Sequence, residues 1–267
     1  MEEKYNYIHG THPEEQKRLA NLNTLTNRQF VDFLEVKNGD SVLEVGSGLG
    51  ILANMVAQTY PFTSITGIEL SDEMIDKAIT AFADTVNLRF AKGDAHNLNI
   101  PDRSFDVVYC RYLLEHVKSP EVVLKEIQRI LKSGGKIFLQ ENNTLVNVFY
   151  PDCPTFNLVW EKFAVVQSKI GGDALIGKKL FFLLKTTGFG SIKLSVSPEI
   201  HHYGMPTFSP YIENLIGNIT GARNSLITIG NLEPSIIDEA IDELRRLQDN
   251  TDASAYFYWN RAMAVKV

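Results

Sequence analysis

Apolar positions along this chain follow two periods, and the places where one gives way to the other mark its elements. Between residues 13 and 34, Leu19, Leu22, Leu25, Phe30 and Phe33 recur at near-helical spacing, and Asn38-Gly39-Asp40 closes the segment as a turn. Residues 41–45 form a short apolar run of strand length. A glycine cluster then leads into an apolar helix over 51–59. Residues 64–70 read as a second strand, followed by a helix that Ser71 caps and that continues through Ala83. Strands over 87–92 and 105–110, a helix over 120–131, a Ser133-Gly134-Gly135 turn and a fifth strand over 136–141 complete the series. Strands and helices alternating at this pitch imply a parallel sheet with helices on both faces.

After Asn143 the rhythm changes. Residues 145–170 are rich in aromatics (Phe149, Tyr150, Phe156, Trp160, Phe163) and read as helical with a proline-bounded loop. A helix over 175–187 stops at Gly188, and 191–197 reads as a strand. Helices are expected near 209–219 and 234–248, and the alternation over 255–267 predicts a closing strand. The expectation is an α/β, Rossmann-like, seven-stranded, mostly parallel sheet with helices on both faces. Three regions follow: an N-terminal helical lid over 1–40, an alternating core over 41–143, and 144–267, where the insertions 144–175 and 206–250 form a helical cap.

Composition narrows the function classes. The chain has 267 residues, 44% hydrophobic and 22% charged, as an ordinary globular protein does. A net charge of -6 argues against a nucleic-acid partner, because phosphate binding needs a basic face. Two cysteines, Cys110 and Cys153, support neither a disulfide framework nor a zinc site, and no metal is expected. Residues 1–12 are polar and acidic, unlike a signal peptide. The longest apolar runs, such as 180–184, are too short to span a membrane, so the expected location is cytoplasmic.

The chemistry concentrates in Glu44-Val45-Gly46-Ser47-Gly48-Leu49-Gly50, at the junction of the first strand and first helix. Glycines there let the backbone turn and approach a ligand without an intervening side chain, although such a loop alone is equally a tight turn. Glu69 ends the second strand, where an acid can accept ribose hydroxyls; its bland alternative is a solvated helix cap. Ile51 stands where a dinucleotide fingerprint wants glycine. Glu44 would repel a pyrophosphate yet favour a sulfonium or ammonium. These two features disfavour a nicotinamide-dependent oxidoreductase.

Several segments carry a resemblance in order: Leu43 to Gly50, Gly67-Ile68-Glu69-Leu70-Ser71, Gly93-Asp94-Ala95, Phe105 to Tyr109, Leu114-Glu115-His116 and Leu131 to Gly135. The chain resembles class I S-adenosylmethionine-dependent methyltransferases of the small-molecule branch that includes quinone and sterol methyltransferases. The likeness covers about residues 41–141, with Ser133 where the family usually has proline. It implies S-adenosylmethionine as cofactor. It places Gly46, Ser47 and Gly48 along the methionine part, Glu69 on the ribose, Leu70 beside the adenine, Asp94 on the adenine amino group and the Ala95 backbone at the ring edge. Arg111 lies where the family brings backbone or side chain to the methionine portion. In similar enzymes an N-terminal helix covers the cofactor, which makes Arg18 a candidate for its carboxylate; an exposed helix with Glu14–Arg18 ion pairs explains the same residues.

Candidate general bases are His116, His201 and His202, with His116 and His202 preferred, because imidazole titrates near neutrality. His201 and His202 end a strand and point to opposite faces, so one at most can reach an acceptor. His116 equally reads as structural, and some acceptors need no base. The aromatic stretch, with Tyr203, Met205, Phe208 and Tyr211, supplies either the cap's own core or an enclosed pocket for a small, largely apolar acceptor. A binding protein that has kept the fold without catalysis is the remaining alternative.

Overall fold

The computed structural model describes residues 26–267. They fall into two units. The larger comprises Thr26–Glu141, Ile176–Val196 and Asn260–Val267; the smaller, among the described residues, comprises Asn142–Leu175 and Ser197–Trp259.

In the larger unit, β1 (Ser41–Val45), β2 (Ser64–Glu69), β3 (Leu88–Lys92), β4 (Phe105–Arg111) and β5 (Leu131–Glu141) are joined in parallel in the order β3-β2-β1-β4-β5. The second half of β8 (Ser254–Lys266) pairs antiparallel with β5, from Lys136↔Val265 to Glu141↔Asn260. β7 (Phe189–His202) pairs with β8.

Pleating divides the apolar residues between two faces. On one face Leu43, Val45, Val108 and Cys110 pack with Val123, Leu124, Ile127 and Ile130 of α3 (Pro120–Ile130) and with α5 (Leu180–Thr186). On the other, Val42, Val107, Tyr109 and Phe138 pack with Leu52, Ala53, Val56 and Ala57 of α1 (Ile51–Thr59) and with Phe30, Val31 and Leu34; residues 26–31 are helical. Helices therefore cover both faces, as the alternating pattern predicts. The remaining helix, α2 (Asp72–Ala81), starts at Ser71, whose hydroxyl accepts from Met74 N at 3.4 Å.

The described residues form eight strands rather than seven. The additional one, β6 (Val148–Tyr150), belongs to the smaller unit and pairs antiparallel with Ser254–Tyr256 of β8. Three residues between a 3-10 turn (Thr144–Val146) and Pro151 are too few to show alternation, so the segment reads as helical in sequence.

Helices α4 (Pro154–Lys169), α6 (Phe208–Thr228) and α7 (Pro234–Asp249) pack on one another in the smaller unit. Phe149 meets Phe156 edge to face, and Phe156, Trp160 and Phe163 stack in succession, with centroids 4.9–5.3 Å apart; Trp160 Nε1 donates to Thr144 O at 2.6 Å. These four aromatics thus build the unit's own core. Cys153 gives α4 no side-chain cap. One amide of its first turn, Phe156 N, donates instead to Glu243 of α7 at 2.7 Å. α6 runs well past residue 219, because burial of Ile219, Ala222 and Leu226 overrides the breaker signal of Gly217, Asn218, Thr220 and Gly221.

Candidate cofactor site

The site begins where β1 ends. Gly46, Gly48 and Gly50 have φ of 77°, 53° and 74°, the left-handed region that a side chain penalises. Their turn is tied to β2: Gly46 N and Ser47 N both donate to Ile68 O, at 2.8 and 2.9 Å. Gly67 permits this approach, since a Cβ there would stand 2.9 Å from Ser47 Cβ and 2.7 Å from the Phe90 ring. A Cβ on Gly48, in contrast, would meet nothing within 4 Å. That face of the loop is open, and close by Ser47 Oγ is buried without a hydrogen-bond partner. An open backbone edge beside an orphaned hydroxyl fits a polar ligand laid along the loop.

Glu69 closes the other side. Its Oε2 accepts from Gly48 N, and its Oε1 from Leu70 N and Ser71 N, each at 2.9 Å. Three of about four lone-pair positions are therefore engaged, and one on Oε2 faces no protein donor. Leu70, next along the chain, is 41% exposed. Asp94 holds the turn after β3 by accepting from His96 N at 2.9 Å, with the His96 ring at 2.8 Å. Partial burial opposes ionisation of Asp94, but the His96 bonds outweigh it and keep the carboxyl below its usual range. Ala95 packs against the edge of the core.

Glu44 lies beneath this rim, 4% exposed, and accepts from Tyr109 Oη at 3.2 Å. Burial pushes its carboxyl up to about 8, against the opposing pulls of Arg111 and of the Tyr109 hydroxyl. Arg111 itself donates to Thr26 Oγ1 at 3.0 Å and Asn27 Oδ1 at 2.6 Å, and lies over the Phe30 ring. Its side chain is thus engaged with helical residues 26–31. Arg18 lies outside the described residues.

After β4 the chain turns around a buried acid. Glu141 accepts from Leu113 N, Leu114 N and Glu115 N at 3.1, 2.9 and 3.3 Å. Burial, and then the neighbouring Glu115, hold its carboxyl well above the usual range in spite of those donors. The turn in its place sets Leu113 against Gly46, where a Cβ would stand 3.0 Å from Leu113 Cδ1. His116 is in the same segment, its Nε2 3.7 Å from Glu115 Oε1. In the smaller unit β7 separates its two histidines as pleating requires. His201 is buried, with Thr207 Oγ1 at 3.0 Å and Glu199 Oε2 at 3.4 Å, whereas His202 is exposed beside Tyr203 O. Tyr109 and Glu141 are absent from the expectations drawn from sequence. Each acts through a partner on another strand, and nothing local marks either pairing.

Comparison with known proteins bears on the family and the fold. Residues 43–139 match the methyltransferase domain family. A demethylmenaquinone methyltransferase of Lactobacillus johnsonii is 31% identical over 158 residues, 57% of this chain and 62% of that protein. Phosphoethanolamine N-methyltransferase 3 of Arabidopsis thaliana is 32% identical over 168 residues, 62% of this chain and 32% of that one. This chain therefore spans less than two thirds of either relative. Among solved structures, Haemonchus contortus phosphoethanolamine N-methyltransferase 2, in complex with phosphomonomethylethanolamine and S-adenosylhomocysteine, shares the fold. Its TM-score is 0.56 at 20% identity, covering 98% of this chain and 56% of that one.

Proposed function

Because this chain belongs to the class I S-adenosylmethionine-dependent methyltransferases, we propose that it methylates a small, largely apolar organic acceptor by direct in-line displacement. The observation that carries the reading is the open loop edge at Gly48 between the orphaned Ser47 hydroxyl and the Glu69 carboxylate. Bound there, S-adenosylmethionine would supply an electrophilic methyl group on a sulfonium. Gly46, Ser47 and Gly48 would hold its methionine part, Glu69 its ribose, Leu70 its adenine face, and Asp94 with the Ala95 backbone its adenine edge.

Glu44, once the cofactor's cationic groups draw off its proton, would supply the negative charge that a sulfonium and an ammonium favour, and Arg111 would contribute through backbone or side chain. His116 and His202 are the groups proposed to take a proton where the acceptor must lose one. Two named relatives act on small molecules, a menaquinone precursor and phosphoethanolamine. With a net charge of -6, nucleic acid is the less favourable partner. Among the described residues no helix is long and apolar enough to cross a membrane, and we assign the protein to the cytoplasm.

The test pairs equilibrium titration with turnover. S-adenosylmethionine should bind and NAD should not, and labelled methyl should pass to metabolites in an organic extract. Transfer to tRNA, DNA or protein, with none to small molecules, would overturn the acceptor class. Binding without any transfer would leave a non-catalytic binding protein.

A further inference from the structure

One face of the larger unit's sheet ends in a positive charge that the reaction so far leaves unused. Arg111, Gln140 and Arg261 are register partners on β4, β5 and β8, so their side chains leave the same face in a row. Arg261 is 8% exposed. Its Nε donates to Gln140 Oε1 at 2.6 Å, and its guanidinium lies 4.9 Å from the Phe33 centroid and 5.9 Å from that of Phe30. An amide and two rings do not neutralise a full charge.

Nη2 of Arg261 is buried with no hydrogen bond, and among the described residues no carboxylate pairs with the side chain. Asp32, the acid that bears on it electrostatically, is paired with Arg28 at 3.2 Å. Burial first, and then repulsion by Arg111 against a lift from Tyr112, pushes the guanidinium down to about 10. A buried charge without a counter-ion is costly to keep, and a site that awaits an anion explains it.

The same bonds continue to Tyr112, directly after β4. Gln140 Nε2 donates to its hydroxyl at 2.7 Å, Arg111 lies 4.9 Å over its ring, and its φ of 56° is a left-handed conformation rare for a side chain of this size. We infer that Arg261 receives a carboxylate or phosphate group of the bound acceptor, with Gln140 orienting its guanidinium and tying it to Tyr112. The inference rests on the methyltransferase reading and deepens it: the acceptor is amphiphilic, an apolar body with an anionic end.

The donor also carries a carboxylate. However, β8 is the third strand from the glycine loop of β1, about 14 Å across the sheet, which favours the acceptor as the source.

Three proteins test this: the parent, Arg261→Met, which keeps the packing on Phe33 without the charge, and Arg261→Lys, which keeps the charge without the planar fork. Each is loaded with S-adenosylhomocysteine and titrated with inorganic phosphate and with succinate. The parent should bind these anions, Arg261→Met about tenfold or more weakly, and Arg261→Lys in between. In a second arm each binds S-adenosylmethionine and its decarboxylated analogue, with affinities expected to be the same in all three.

Anion binding that is equal in parent and Arg261→Met overturns the site. If Arg261→Met instead weakens S-adenosylmethionine but not the decarboxylated analogue, the charge serves the donor and the acceptor assignment fails. A parent that binds no S-adenosylhomocysteine at all would instead refute the methyltransferase reading. Removing an uncompensated charge should not unfold Arg261→Met, which a thermal melt checks; should it unfold, the comparison of parent with Arg261→Lys carries the decision.

Discussion

A carboxylate that already holds three N–H donors has limited room for a ligand. Glu69 keeps one lone pair on Oε2, so a ribose of the proposed cofactor would either bring a single hydroxyl there or displace Gly48 N with its second. Glu69→Ala would remove the ribose acceptor and release the loop together, and should weaken S-adenosylmethionine binding by about 1.5–3 kcal/mol. Unchanged affinity in the folded variant, measured by calorimetry, would show that Glu69 serves the loop alone.

Glu44 makes a different kind of prediction. Its carboxyl, at about 8 in the free protein, is protonated at neutral pH, and a cationic donor should draw the proton off. Binding of S-adenosylmethionine should therefore release protons and tighten as pH rises from 6 towards 8, more steeply than binding of S-adenosylhomocysteine, which lacks the sulfonium. Folding has the opposite dependence. The folded-state value lies above the ordinary 4.5, so Glu44 costs stability progressively as pH rises from there through 8. Calorimetry in two buffers of different ionisation enthalpy reads the proton count directly, and a count of zero would refute the linkage.

At this scale the residue types were legible in sequence, because the glycines, Glu44 and Glu69 stand in one local motif. Their partners were not. Tyr109 reaches Glu44 only because β1 and β4 are in register, and that register is set by packing far along the chain.

Among the elements, the turn after β4 depends on a single side chain from another strand. Glu141 meets three consecutive amides that no helix or sheet satisfies. Glu141→Ala should cost on the order of 3 kcal/mol in urea unfolding and speed hydrogen exchange at Leu113, Leu114 and Glu115. Exchange at those amides as slow as in the parent would show that the turn holds without it. Sequence showed an acid ending the apolar strand Ile137-Phe138-Leu139-Gln140-Glu141, but not why a carboxyl group should be buried there.

Elements with strong periodicity, such as β1, β2, α1 and α3, were readable. The exceptions share a cause. β6 is too short to have a period, while α6 and β7 extend beyond their local signals because burial stabilises residues whose own preference is weak.

For the whole molecule, the division into two units does not follow the order of the sequence. Among the described residues the smaller unit draws on two separate stretches, and both β7 and β8 change unit partway along. Composition and alternation indicated a parallel sheet, yet they could not show where one body stops, because a strand's pattern is the same on either side of that boundary. The antiparallel pairing of β5 with Asn260–Val265 has a temporal consequence. During synthesis β5 leaves the ribosome well over a hundred residues before the strand that covers its flank, at about 5–20 residues per second. For several seconds the nascent chain would carry Ile137, Phe138 and Leu139 on an uncovered strand, the kind of edge that recruits other chains. A ribosome that stalls before Asn260 would prolong that state.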